Sequence, residues 1–78
     1  MYKLVFERGV FKDLNRIPLK DLSKIAAAFE NLKHNPRPAT SQKLTGKPYR
    51  YRIRKGNYRI VYIIEDKIKI VKIMLVRH

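Results

Sequence analysis

The sequence predicts an α+β domain: an antiparallel four-stranded sheet in the order β-α-α-β-β-β, with an N-terminal helical hairpin packed on one face. Three observations predict it. Apolar residues recur at helical spacing in two stripes between Val10 and Leu32. Three later runs alternate in strand fashion. Connections of hairpin length join those runs, so they must be antiparallel neighbours. Residues 1–78 read as a single domain, with no repeat and no low-complexity tract.

The first element is Tyr2 to Phe6, which alternates and is rich in strand-forming types. Val10, Phe11, Leu14 and Ile17 follow at helical spacing and make a short amphipathic helix that Pro18 ends. Leu19, Leu22, Ile25, Ala26, Phe29 and Leu32 form the second stripe, whose Ala26-Ala27-Ala28 run favours helix and close packing. Asn35-Pro36-Arg37-Pro38 stops it, because proline lacks a donor and biases the residue before it away from helical angles. Ala39 to Pro48 reads as a polar connector. The three strands are Tyr49–Arg54, Tyr58–Glu65 and Ile68–Val76, joined by Lys55-Gly56-Asn57 and by Glu65-Asp66-Lys67.

Charge is the informative part of the composition. Nearly half of the residues are apolar (45%), which fits a folded core, yet the formal net charge is +13. Self-repulsion at that charge opposes compaction, so an anionic partner is its natural explanation. The charge is also uneven. No acid occurs between Glu30 and Glu65, while Lys33, Arg37, Lys43, Lys47, Arg50, Arg52, Arg54, Lys55 and Arg59 fall in that interval. Such a stretch suits a phosphate backbone, and equally an acidic protein. There is no cysteine, hence no disulfide and no thiolate metal site. The opening Met1-Tyr2-Lys3-Leu4-Val5-Phe6-Glu7 lacks the apolar stretch of a signal peptide, and no run is long enough to span a bilayer, so the expected home is cytoplasmic.

Strand alternation should project Arg50, Arg52 and Arg54 together, with Tyr49, Tyr51 and Ile53 on the other face. A turn at Gly56 should bring Arg59 within reach of Arg54 or Lys55. Guanidinium forks match phosphate oxygens, and tyrosines beside them, Tyr51 above all, could stack exposed bases. The plainer alternatives are that the arginines anchor an acidic protein and that the tyrosines pack the core. Other chemistry has little support. His34 and His78 are too few and too separated for a metal site, the glycines form no phosphate-binding loop, and Ser23 and Ser41 have no triad partners. No metal and no cofactor is expected.

One stretch is recognisable. Gln42-Lys43-Leu44-Thr45-Gly46, and then Tyr51-Arg52-Ile53-Arg54-Lys55-Gly56-Asn57-Tyr58-Arg59-Ile60-Val61-Tyr62, resembles the RelE-type toxins of the RelE/ParE superfamily. With the preceding strand and helical hairpin, the likeness covers almost the whole chain. It implies a ribosome-dependent messenger RNA endoribonuclease, neutralised by a cognate antitoxin and binding operator DNA only through the toxin–antitoxin complex. It implies catalytic roles for Arg52, Arg54 and Arg59, with Arg59 on the scissile phosphate. His78 is the candidate proton-transfer group, and Arg50, Tyr51, Lys55, Lys43, Lys47 and Arg77 are candidate RNA contacts.

The chain departs from the family twice. Arginine stands where lysine is common, and arginine is a poor general base. The family usually ends on a His-Arg or Lys-Arg pair followed by an aromatic residue, whereas this sequence ends Val76-Arg77-His78. The resemblance therefore leaves three readings: an active nuclease, a ParE-like gyrase inhibitor, or a C-terminally shortened relative that only binds antitoxin.

Overall fold

The computed structural model describes residues 1–46 and 49–78. It contains β1 (Lys3–Phe6), α1 (Arg8–Asn15), α2 (Leu19–His34), β2 (Gln42–Lys43), β3 (Arg50–Lys55), β4 (Tyr58–Glu65) and β5 (Ile70–Arg77). Glu7 caps α1 by accepting the Arg8 N–H at 3.1 Å, and Pro18 enters α2 with Asp21 in the first turn, where a negative charge complements the helix dipole.

The predicted α+β class and helical hairpin are present, but the sheet is larger and mixed. It has five strands in the order β1-β5-β4-β3-β2. β3, β4 and β5 form the predicted meander, while β1 pairs with β5 in parallel, Lys3 opposite Ile70 through Phe6 opposite Ile73. Hairpin lengths dictate antiparallel pairing only between consecutive strands. The partner of β1 lies at the far end of the chain, where no turn specifies direction. The supposed connector also contributes a two-residue edge strand, Gln42 and Lys43, antiparallel to β3.

The strand ends moved as well. Ile68 is not in β5 but in the preceding turn, 61% exposed, and Lys69 beside it takes a positive φ of 56°. Tyr49 precedes β3 with φ 62°. The β3–β4 turn is the two-residue Gly56-Asn57 loop; Gly56 adopts φ 59°, which a residue without Cβ does at no steric cost.

The helices cover one sheet face. Val10, Ile17, Ile25, Phe29 and Leu32 pack there against Ile53, Ile60, Tyr62, Ile64, Val71, Ile73 and Val76. Tyr62 is fully buried, and its hydroxyl donates to the Pro36 carbonyl at 2.7 Å, tying the chain after α2 onto β4. The other sheet face has no covering layer among the described residues, and it bears the arginines.

A bulge fixes how the end of β5 presents its side chains. Val61 opposes Leu75 but Tyr62 opposes Ile73, so Met74 is the extra residue. Unbroken alternation from the buried Ile73 would turn Arg77 toward the helices. The bulge shifts the phase, so Val76 enters the core and Arg77 pairs across from Arg59.

Candidate functional site

Residues directly opposite on neighbouring strands point to the same face. The register places Arg54 opposite Arg59 and Arg59 opposite Arg77. Three guanidinium-bearing side chains thus stand in one row across β3, β4 and β5, on strands spaced about 4.8 Å apart. Arg54 and Arg59 are exposed, and neither has an acid within ion-pair distance among the described residues. Three adjacent cations repel one another, so the row is an electrostatic demand for an anion.

Arg77 is held from the side. Its Nε lies 3.7 Å from Asp13 Oδ1, and Asp13 Oδ2 accepts the Val76 N–H at 3.0 Å. β1 ends at Phe6, opposite Ile73, so β5 has no strand partner on that edge beyond this point. The α1 carboxylate takes the edge donor that a strand would otherwise take. Asp13 was absent from the sequence-based site, although it sits among Val10, Leu14 and Ile17 on the apolar stripe of α1. An acid in such a stripe signals a partnered carboxylate.

The same end of the sheet has a second row on the helix side. Lys55 opposes Tyr58, and the His78 ring lies edge-on to Tyr58 with centroids 5.5 Å apart. The Tyr58 hydroxyl donates to Asp21 Oδ2 at 3.3 Å; burial and the Asp21 charge push its pKa up. A cleft of about 440 Å³ opens here, with Asp13, Tyr58, Arg77 and His78 in its walls. Lys55 and His78 therefore flank the arginine row from behind rather than joining it.

The other predicted contacts are dispersed. Arg52 lies one step along β3, opposite Val61 and Gln42, and donates to Gln42 Oε1. Arg50 lies further along, opposite Ile63. Beyond it Lys72 is already paired with Glu7 at 3.3 Å, which lowers the pKa of that carboxyl group. Tyr51 faces the helix side, stacked on Tyr62 with centroids 6.0 Å apart and accepting from Arg37 Nε at 3.1 Å. Lys43 pairs opposite Tyr51 and so shares that side. Lys47 lies outside the described residues.

Arg37 belongs to a different arrangement. It grips Asp66 with both terminal nitrogens, at 3.2 and 2.8 Å, and Tyr2 donates its hydroxyl to the same carboxylate at 2.6 Å. Those bonds hold the Asp66 carboxyl well below its usual range, at about 2, and push the Arg37 pKa up.

A mixed sheet with helices on one face is an architecture this chain shares with known toxins. A family model described as the ParE toxin of the type II toxin–antitoxin system parDE matches residues 4–78. A protein of Methanocaldococcus jannaschii named "Putative toxin RelE1" is 32% identical over 76 residues, covering 91% of this chain and 84% of the relative. The archaeal RelE–RelB complex of Pyrococcus horikoshii contains a similar chain, with TM-score 0.87 and 27% identity, over 97% of this chain and 92% of that one. The RelBE2 complex of Mycobacterium tuberculosis gives 0.86 and 28%, over 99% and 96%, and the intact RelBE complex of E. coli 0.86 and 25%, over 99% and 95%.

The chain belongs to the RelE/ParE superfamily, the toxins of type II toxin–antitoxin systems. Within it, the structural likeness is to RelE. No helix among the described residues is long and apolar enough to cross a membrane.

Proposed function

We propose that this toxin is a ribosome-dependent endoribonuclease that cuts messenger RNA in the A site. The observation that carries the reading is the row of Arg54, Arg59 and Arg77, two of whose members have no acid partner among the described residues. In the reaction the 2′-oxygen attacks the adjacent phosphorus while the bond from phosphorus to the 5′-oxygen breaks, leaving a 2′,3′-cyclic phosphate and a 5′-hydroxyl. Negative charge grows on the phosphoryl oxygens, and preorganised guanidinium donors aimed at it lower the barrier.

Arg59, in the middle of the row, takes the scissile phosphate. Arg54 shares the charge, and Arg52 orients the strand. Proton transfer falls to His78, whose imidazole stands beside Tyr58 at the end of the arginine row. Arg77 and His78 both line the cleft at the sheet end, so the linkage lies over that end rather than along the middle of the open face. A cognate antitoxin is the expected partner, because RelE–RelB and RelBE are the complexes in which the similar chains were solved.

The match to a ParE family model supports a second reading, a gyrase inhibitor without catalysis. Purified protein added to ribosomes programmed with messenger RNA separates the two. Cleavage within the A-site codon is expected. Intact messenger, together with double-strand breaks in a gyrase assay, would replace the first reading with the second.

A further inference from the structure

The β2–β3 edge carries a polar cleft of about 530 Å³ lined by Thr40, Gln42, Arg52 and Arg54. Its two arginines differ in their neighbours. Arg54 looks across the ladder to another cation, Arg59, whereas Arg52 stands between Val61 and Gln42. Arg52 donates to Gln42 Oε1, and that contact fixes the amide. A guanidinium has only donors, so the amide oxygen must face it and the amide NH₂ must point away. The cleft then presents two guanidiniums, an outward amide NH₂ and the Thr40 hydroxyl, with no carboxylate in its walls among the described residues. Apart from the Thr40 hydroxyl, which also accepts, the groups presented only donate, so the cleft disfavours a cation or a donor-rich group. It suits an acceptor-only anion, above all phosphate, which guanidinium binds bidentately.

We infer that this cleft is a second phosphate subsite, holding the RNA phosphate next to the scissile one. Arg52 is its principal ligand and Gln42 its positioning residue. The inference rests on the proposed function only in taking RNA as the ligand. Arg52 and Arg54 are two residues apart on β3, about 7 Å along the strand, so the two phosphates are gripped side by side, the outer one at the sheet edge. The RNA therefore leaves the arginine row along β3, beside the β2 edge of the sheet. Gln42 enters the machinery although it carries no charge and sits in what the sequence presents as a linker.

The test uses equilibrium binding of the full chain to 2′-O-methyl ribodinucleotides, which cannot be cleaved, bearing a terminal phosphate at the 5′ end, at the 3′ end, or at neither. For the wild type, one of the two terminal phosphates should tighten binding about tenfold, the scale of a charge-assisted contact. Arg52→Ala should reduce that gain to about twofold or less, on the same scale. Gln42→Glu should do the same, since a carboxylate would occupy Arg52 and repel the phosphate. Both variants should also flatten the dependence of log affinity on log salt by about 0.7 for the phosphate-bearing probe. Lys24→Ala, which removes a charge from the helical layer, should keep the full gain, and circular dichroism would show all three variants folded.

The inference is overturned if neither terminal phosphate tightens wild-type binding, if no probe binds, or if the gain survives in both Arg52→Ala and Gln42→Glu. A preference that follows a guanine base rather than the phosphate would also overturn it. Loss of cleavage on ribosomes with the phosphate gain intact would sink the proposed reaction and leave this subsite standing.

Discussion

Two corners of this molecule are built from the same residue types and behave in opposite ways. At one, Arg37 is held by both oxygens of Asp66, by the Tyr51 hydroxyl, and over the Tyr51 ring at 5.3 Å; every strong electrostatic option is already used within the fold. At the other, Arg54 and Arg59 stand side by side with no such partner among the described residues. Both belong to one unipolar stretch of sequence. What separates a paired cation from an available one is not its identity or its neighbours in the chain, but whether the fold delivers an acid to it.

The sharpest way to break this comparison is Arg59→Ala. Removing a preorganised donor from developing charge should lower messenger cleavage by about 10²–10³-fold. Thermal unfolding should barely change, because an exposed side chain without an ion pair contributes little to stability. A large fall in melting temperature would mean that the row is structural after all.

The paired corner should show the reverse. Tyr62→Phe removes the buried hydroxyl and strands the Pro36 carbonyl, at a cost of about 1–3 kcal/mol in denaturant unfolding. Cleavage by the folded fraction should persist. Burial also pushes the Tyr62 phenol up from 10.0 to about 12. The neutral form is favoured on folding, so its contribution is complete below pH 10 and is lost as pH rises toward 12. Tyr62→Phe should flatten that alkaline arm.

Asp13 lies between the two corners, since it bonds within the fold but also holds a member of the arginine row. Asp13→Ala would leave the Val76 N–H without its acceptor, costing about 1–2 kcal/mol, while Asp13→Asn keeps an acceptor and should cost less. Chemical denaturation of both variants would check the ranking. Equal losses would mean that the ion pair with Arg77, rather than the hydrogen bond, carries the effect.

The smallest effect belongs to Asp66. Its pKa falls on folding from 3.8 to about 2, so its contribution is present above pH 4 and disappears as pH drops toward 2. Urea titrations across that range should show the acid arm shrink in Asp66→Asn. An unchanged arm would assign it to Glu7, whose pKa is likewise lowered, by Lys72.

Much of the fold was legible because it is local. The stripes of α1 and α2, the stop at Asn35-Pro36-Arg37-Pro38 and the Gly56 turn each follow from a few consecutive residues; that turn left Arg59 opposite Arg54 or Lys55, and the observed register pairs it with Arg54. The illegible parts are non-local. β1 pairs with a strand more than sixty positions away, and Gln42 and Lys43 become a strand only because β3 lies beside them. Alternation correctly separated Tyr51 from Arg50 and Arg52, but nothing local said that Arg37 and Tyr62 would claim that ring. Asp13 reaches Val76 across 63 positions.

The sequence alone determined that the helices form, that β3, β4 and β5 make a meander, and that an excess of positive charge crowds onto it, since periodicity, turn chemistry and composition are properties of neighbouring residues. Tertiary structure alone decided which cations remain available. The Met74 bulge turns Arg77 toward Arg59, Asp66 removes Arg37 from the basic surface, and Gln42 fixes Arg52 at the sheet edge. Each of those outcomes depends on distant backbone segments meeting in one register, and charge finds its partner only after they have met.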